Sequence, residues 1–209
     1  MRASRFAAAI LVVGALTAFN ATLAAAQGSP PQGSPPQGSP PPGTLPANES
    51  RFNAEEIVNA GHNFFGTVSR GLAQVVERAV STWGLPNGYV LGEEAGGAFF
   101  GGLRYGEGTL YTKNAGDLKV YFQGPSLGWD IGGDGARTMM LVYNLPATHA
   151  IYQRFGGVDG SAYFIGGFGM TALTSNNIVL VPIRSGVGLR LGANVGYLKF
   201  TPESTWNPF

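Results

Sequence analysis

Gly186-Val187-Gly188-Leu189-Arg190-Leu191-Gly192-Ala193-Asn194-Val195-Gly196-Tyr197-Leu198-Lys199-Phe200 decides how the rest of the chain reads. Counted in twos, Val187, Leu189, Leu191, Ala193, Val195 and Tyr197 share one face of an extended strand. Gly186, Gly188, Arg190, Gly192, Asn194 and Gly196 begin the other. One face is apolar and the other is mostly bare backbone. Glycine in a strand gives up packing area and conformational entropy, so four on one face predict sharp curvature or close approach by another segment or a ligand. A small, strongly bent or closed sheet follows.

Upstream of this stretch the same texture runs back to Tyr89, and most of the 33 glycines lie from Gly84 onward. Turn-like clusters divide it at Gly106-Glu107-Gly108, Asn114-Ala115-Gly116-Asp117, Gly132-Gly133-Asp134-Gly135, Gly156-Gly157 and Ser175-Asn176-Asn177. The intervening segments, Tyr89 to Tyr105, Thr109 to Lys113, Leu118 to Gln123, Leu127 to Ile131, Thr138 to Tyr143, Ser161 to Thr171, Ile178 to Ile183 and Val187 to Phe200, read as strands. Pro146 to Phe155 reads as a short helix. Ahead of the strands, Asn53 and Glu56 have capping-pair spacing. Ile57, Val58, Phe64, Phe65, Val68, Leu72, Val75, Val76, Ala79, Val80 and Trp83 then form a helical stripe. Gly61, Gly66 and Gly71 interrupt it, so the helix bends or two helices meet near Gly66 to Gly71. The expected fold is mainly β: a small antiparallel β-barrel of about eight to ten strands, with the N-terminal amphipathic helical segment packed on it and one short inserted helix. Closure removes the edges that so many short strands would expose.

Residues 1–26 carry Arg2 and Arg5, an apolar run from Phe6 to Phe19, and small residues ending Ala24-Ala25-Ala26. That order is a secretory signal, with cleavage expected before Gln27, and the run is too short and too polar for a membrane span. Residues 27–50 contain Gln-Gly-Ser-Pro-Pro three times in succession, a composition that buries nothing and predicts a disordered linker. Residues 51–209 are expected to form a single β-barrel domain. The chain contains no cysteine, which removes disulfides and thiolate metal sites. Its formal charge of +1 falls further when the signal arginines are removed, so no nucleic-acid footprint is present.

Gly124-Pro125-Ser126-Leu127-Gly128 fits the spacing of a nucleophile elbow, with Asp130, Asp134 and His149 downstream. An elbow needs a strand before the serine and a helix after it, and Gly128-Trp129-Asp130-Ile131-Gly132-Gly133 is a poor helix start. Asp130 to Gly135 resembles a calcium loop but has Gly132 and Leu141 where oxygen ligands are required. Gly167-x-Gly169-x-x-Ala172 lies in a β pattern with no helix after it, so it is not a dinucleotide site. His62 and His149 stand far apart with no ligand motif around either. No metal or cofactor is expected. Glu93-Glu94 is more informative, because alternation sends one carboxylate to each face. A carboxylate inside a barrel must pair, and Arg104, Arg184 and Arg190 are the natural partners. Glu93, Glu94, Arg104, Arg184 and Arg190 are therefore the candidate ligand-binding residues, as a structural ion pair or as the polar end of a largely apolar pocket.

Ala60 to Gly66, Pro86 to Ala98, Leu103 to Tyr111, Tyr152 to Tyr163, and Pro182 through the closing Trp206-Asn207-Pro208-Phe209 resemble the envelope integrity protein A (EipA) family of alphaproteobacterial envelopes. The resemblance implies a soluble periplasmic β-barrel with accessory helices, linked to cell-wall and lipopolysaccharide processes, with no catalytic residues to carry over. The expected partner of such a non-enzymatic barrel is a lipid, a cell-wall glycan or an envelope protein. Gly124 to Gly132, Thr138 to Val142 and Phe155-Gly156-Gly157 are more distantly similar to SYLF lipid-binding domains, whose basic helix has no counterpart here. Two rivals remain: an outer-membrane β-barrel, and an envelope serine hydrolase using Ser126.

Overall fold

The helical stripe resolves into two helices, α1 (Ala54–Phe65) and α2 (Arg70–Trp83). The computed structural model describes residues 50–66, 69–97, 103–125, 136–158, 161–185 and 196–207. Asn53 and Glu56 close a reciprocal capping box at the start of α1: the Glu56 N–H donates to Asn53 Oδ1 at 2.8 Å, and the Asn53 N–H donates to Glu56 Oε2 at 2.7 Å. Gly66, at φ 73°, ends α1 in a left-handed turn that a β-carbon would strain. His62 ties the two helices together, its Nε2 lying 3.2 Å from both the N and the O of Ser69.

The strands are β1 (Gly88–Gly97), β2 (Leu103–Thr112), β3 (Leu118–Pro125), β4 (Ala136–Tyr143), β5 (Arg154–Gly157), β6 (Tyr163–Ile165), β7 (Phe168–Met170), β8 (Leu173–Ser175), β9 (Ile178–Ser185) and β10 (Tyr197–Thr201). Every pairing is antiparallel. The order β4-β1-β2-β3-β10-β5-β8-β9 closes on itself through β4 and β9, giving the expected barrel. β9 divides its other edge: Ile178 to Leu180 pair with β8, and Ile183 to Ser185 pair with β7. The β6–β7 hairpin thereby sits outside the ring.

Alternation sorts the side chains into two apolar layers. Val90, Leu110, Val120, Phe122, Met140, Val142, Leu180, Leu198 and Phe200 fill the barrel interior. Met139, Leu141, Tyr143, Val181 and Ile183 point outward and meet Ile57, Leu72, Val75, Val76 and Ala79 of the helices. β4 and β9 are buried on both faces, which is why both read as continuous apolar runs. Away from the helices, the outward positions include the exposed pair Glu107 and Lys119. An apolar interior with charge outside inverts the plan of a transmembrane β-barrel. No helix among the described residues is long and apolar enough to cross a membrane.

Several sequence-based boundaries are corrected. Gly106-Glu107-Gly108 is not a turn but the middle of β2, where Gly106 lies opposite Glu94. A β-carbon on Gly106 would overlap the ring of Phe122, its partner on β3, so the glycine makes room for a neighbouring aromatic side chain in the interior. Gly156-Gly157 is strand rather than turn, and the helix expected over Pro146 to Phe155 shrinks to a 3-10 turn, Thr148–Ile151. Ser161 to Thr171 is a hairpin bent at Gly166 and Gly167. In the opening stretch only β10 is described, and there the side continuing from Gly196 through Leu198 and Phe200 faces inward. The strand expected over Leu127 to Ile131, the signal, the linker through residue 49, and the segment 186–195 lie outside the described residues.

Candidate functional site

The barrel ends differ in chemistry. At one end the 3-10 turn places Ile151 in the interior core with Leu145, packed by Leu118, Ala150 and Tyr152. Asn87 donates through Nδ2 to Leu145 O at 2.8 Å and accepts from the Leu145 N–H at 3.1 Å. Gln153 donates to Ala150 O at 2.7 Å, and its Oε1 accepts from Ser175 Oγ and Asn176 Nδ2. The amides of Asn87 and Gln153 at this end are thus matched, whereas the Tyr143 hydroxyl on the outer side of β4 is buried without a partner.

At the other end, Glu94 near the end of β1, Arg104 near the start of β2 and Arg184 near the end of β9 come together. Glu94 faces inward and pairs with Arg184, whose Nε lies 2.6 Å from Oε1 and whose Nη2 donates to Oε2 at 3.3 Å. The Nε–H is not directed along its short contact, so the pair is lopsided rather than a symmetric fork. Only 10% of the Glu94 side chain and 15% of the Arg184 side chain is exposed. Glu93 alternates to the outer face and meets Arg137 at 3.7 Å, both about half exposed. Arg137 also donates to Phe64 O at the end of α1, at 3.0 Å, which makes it a strut between helix and barrel. Sequence reasoning missed Arg137 as the partner of Glu93. Arg190 lies outside the described residues.

Arg104 stands with Gln123, Tyr143 and Arg184 in having a buried polar atom with no hydrogen-bond partner, and it alone of the three charged groups at this end has no ion pair among the described residues. Among the described residues it makes no hydrogen bond or ion pair, and its Nε is buried. Burial, reinforced by the like charge of Arg184 and only partly offset by Glu94, pulls its guanidinium down to about 10. It remains cationic at neutral pH. In the ladder its neighbours are Gly96 on β1 and Gly124 on β3. A β-carbon on Gly124 would strike the Tyr197 carbonyl, so that neighbour stays bare. Arg104 and Arg184 line a recess with Pro125, Thr171, Leu173, Pro182 and Gly196. The recess has room for about one water-sized group. The interior behind it is filled by side chains, so the expected apolar pocket does not extend below the charges among the described residues.

A catalytic reading gains no geometry. Ser126, Asp130 and Asp134 lie outside the described residues, as does the calcium-like loop. His149 sits on the 3-10 turn at the far end of β3 from Pro125, roughly 25 Å away along an eight-residue strand. No group of three His, Asp or Glu side chains among the described residues is arranged to hold a metal ion.

The profile of the envelope integrity protein A family matches residues 50–209. The chain belongs to that family. A crystal structure of a β-barrel-like, uncharacterized protein from Brucella abortus is 62% identical and superposes with a TM-score of 0.72. That match covers 77% of this chain and 99% of the other. No curated protein matches. The family name points to the cell envelope, and the barrel is the architecture that the EipA resemblance implied.

Proposed function

We propose that this EipA-family chain is a non-catalytic periplasmic protein that supports envelope integrity by holding an envelope component at the Glu94–Arg104–Arg184 end of its barrel. The observation that carries this reading is Arg104, a cation with a buried, unpartnered Nε at the rim of an otherwise apolar, filled barrel. Burying a charge without a partner costs stability, so its retention points to an interaction outside the fold. The filled interior favours contact with a headgroup or other polar end over enclosure of an acyl chain. The outward charges of Glu107 and Lys119 favour an aqueous compartment over an outer-membrane barrel.

The test is complementation of cells lacking the protein, grown with a membrane-active detergent. Arg104→Met, expressed at normal level, is expected not to restore growth, whereas Arg154→Met on the outer face restores it. Full rescue by Arg104→Met would remove the assignment. Fractionation of the processed chain is expected to place it with soluble periplasmic proteins, and a requirement for detergent would favour the outer-membrane reading instead. Ser126→Ala is expected to rescue fully; failure to do so would revive the hydrolase.

A further inference from the structure

We infer that Arg104 and Thr171 form the recognition point for a single phosphate group, the chemistry shared by a phospholipid headgroup and free phosphate. This deepens the reading above and rests on it. The charge count comes first. Among the described residues at this end, Glu94 pairs with Arg184, which leaves one positive charge in excess, on Arg104. A singly charged phosphodiester balances it without leaving a second buried charge.

Donor geometry comes second. Arg104 offers a planar fork suited to phosphate oxygens, and Thr171 lines the same recess and carries a hydroxyl. Donors on separate elements suit the divergent oxygens of a tetrahedral phosphate better than the two coplanar oxygens of a carboxylate. Size comes third. Space for about one water admits one or two phosphate oxygens, while the filled barrel beneath stops anything larger from entering. The rest of the ligand therefore stays outside, and the site reads the phosphate group itself, not a chain. Thr171 is held from the backbone side, its N–H donating to Pro182 O at 3.3 Å, so the hydroxyl is presented from a fixed segment.

The experiment titrates the processed full chain with inorganic phosphate at constant ionic strength, following the Arg104 Nε–Hε resonance and the thermal midpoint. The expected result is a saturable shift of that resonance with half-saturation on the order of 1 mM, as one charged contact implies. Affinity should fall at least tenfold in Arg104→Met, fall less in Arg104→Lys, and stay unchanged in Arg154→Met. Sodium acetate should compete poorly. Vesicles of phosphatidylglycerol or phosphatidylcholine that retain the unsubstituted protein but not Arg104→Met would support the inference and assign the source to lipid. Retention by neither, with phosphate still bound, would support it and assign the source to soluble phosphate. An unmoving resonance in the unsubstituted protein, or equal phosphate affinity in Arg104→Met, would overturn it. Failed phosphate binding alongside failed complementation by Arg104→Met would leave the site standing with another ligand. Intact binding alongside full complementation would remove the functional reading alone.

Discussion

The two ends of one barrel handle polarity in opposite ways. Around Ile151 and Leu145, apolar side chains fill the end and the amides of Asn87 and Gln153 are matched to backbone and side-chain partners. Around Arg104, a guanidinium stands beside a lopsided ion pair, and the Nε of Arg104, the Nε of Arg184 and the Nε2 of Gln123 are all buried without a hydrogen-bond partner. The same strands run between both ends, so the contrast is not a consequence of the fold. It separates what holds the barrel together from what the barrel holds out for use.

Removing the filling of the apolar end should do the most damage. Ile151→Ala is expected to cost about 2–5 kcal/mol, read as a lower urea midpoint with an unchanged slope. A loss below about 1 kcal/mol would mean that end is not part of the core. The polar end gives the next effect. Glu94→Gln strands Arg184 beside Arg104 and should cost about 3 kcal/mol. Adding Arg184→Met to it should recover most of that loss, and a double-mutant cycle with no coupling would show that the pair is not a unit. Gly106→Ala tests the strand between the ends. Its β-carbon meets the Phe122 ring, so a loss of about 1–3 kcal/mol is expected, and a neutral result would mean that the ring yields freely.

The smallest effect belongs to neither end. Glu56 is held below the ordinary glutamate range, first by its hydrogen bond with Lys113 and then by the Asn53 backbone N–H. Its contribution is therefore present above the unfolded-state value and lost as pH falls through the depressed folded one. Because Lys113 and Glu56 remain 27% and 41% exposed, Glu56→Gln should cost less than about 1 kcal/mol at pH 7. The difference should vanish at the acid end of that range, and a difference that persisted there would assign the effect to the cap geometry instead.

Local chemistry was legible in the sequence, and convergence was not. The spacing of Asn53 and Glu56 is enough to place a helix start, and Asn176 and Asn177 mark a tight turn that the structure realises at φ 45° and 69°. Closure of an antiparallel sheet followed from glycine-rich strand faces. Gly106 misled because a glycine that starts a turn and one that yields to a ring on the neighbouring strand carry the same local signal. The ring belongs to Phe122, on the next strand. Alternation separated Glu93 from Glu94, but which of them faced inward depended on register with β2 and β4. Pro125, Thr171, Pro182 and Gly196 come from separate segments that meet when β4 pairs with β9, and no spacing along the chain announces that meeting.

The claim that Arg104 is kept for a partner rather than for the fold has one direct test: equilibrium unfolding of Arg104→Met against the unsubstituted chain in phosphate-free buffer at pH 7. The substituted protein is predicted to be as stable or more so, by up to about 2 kcal/mol, since an unmatched cation is replaced by an apolar side chain of similar length. A loss of about 2 kcal/mol or more would make Arg104 a structural residue and contradict the account.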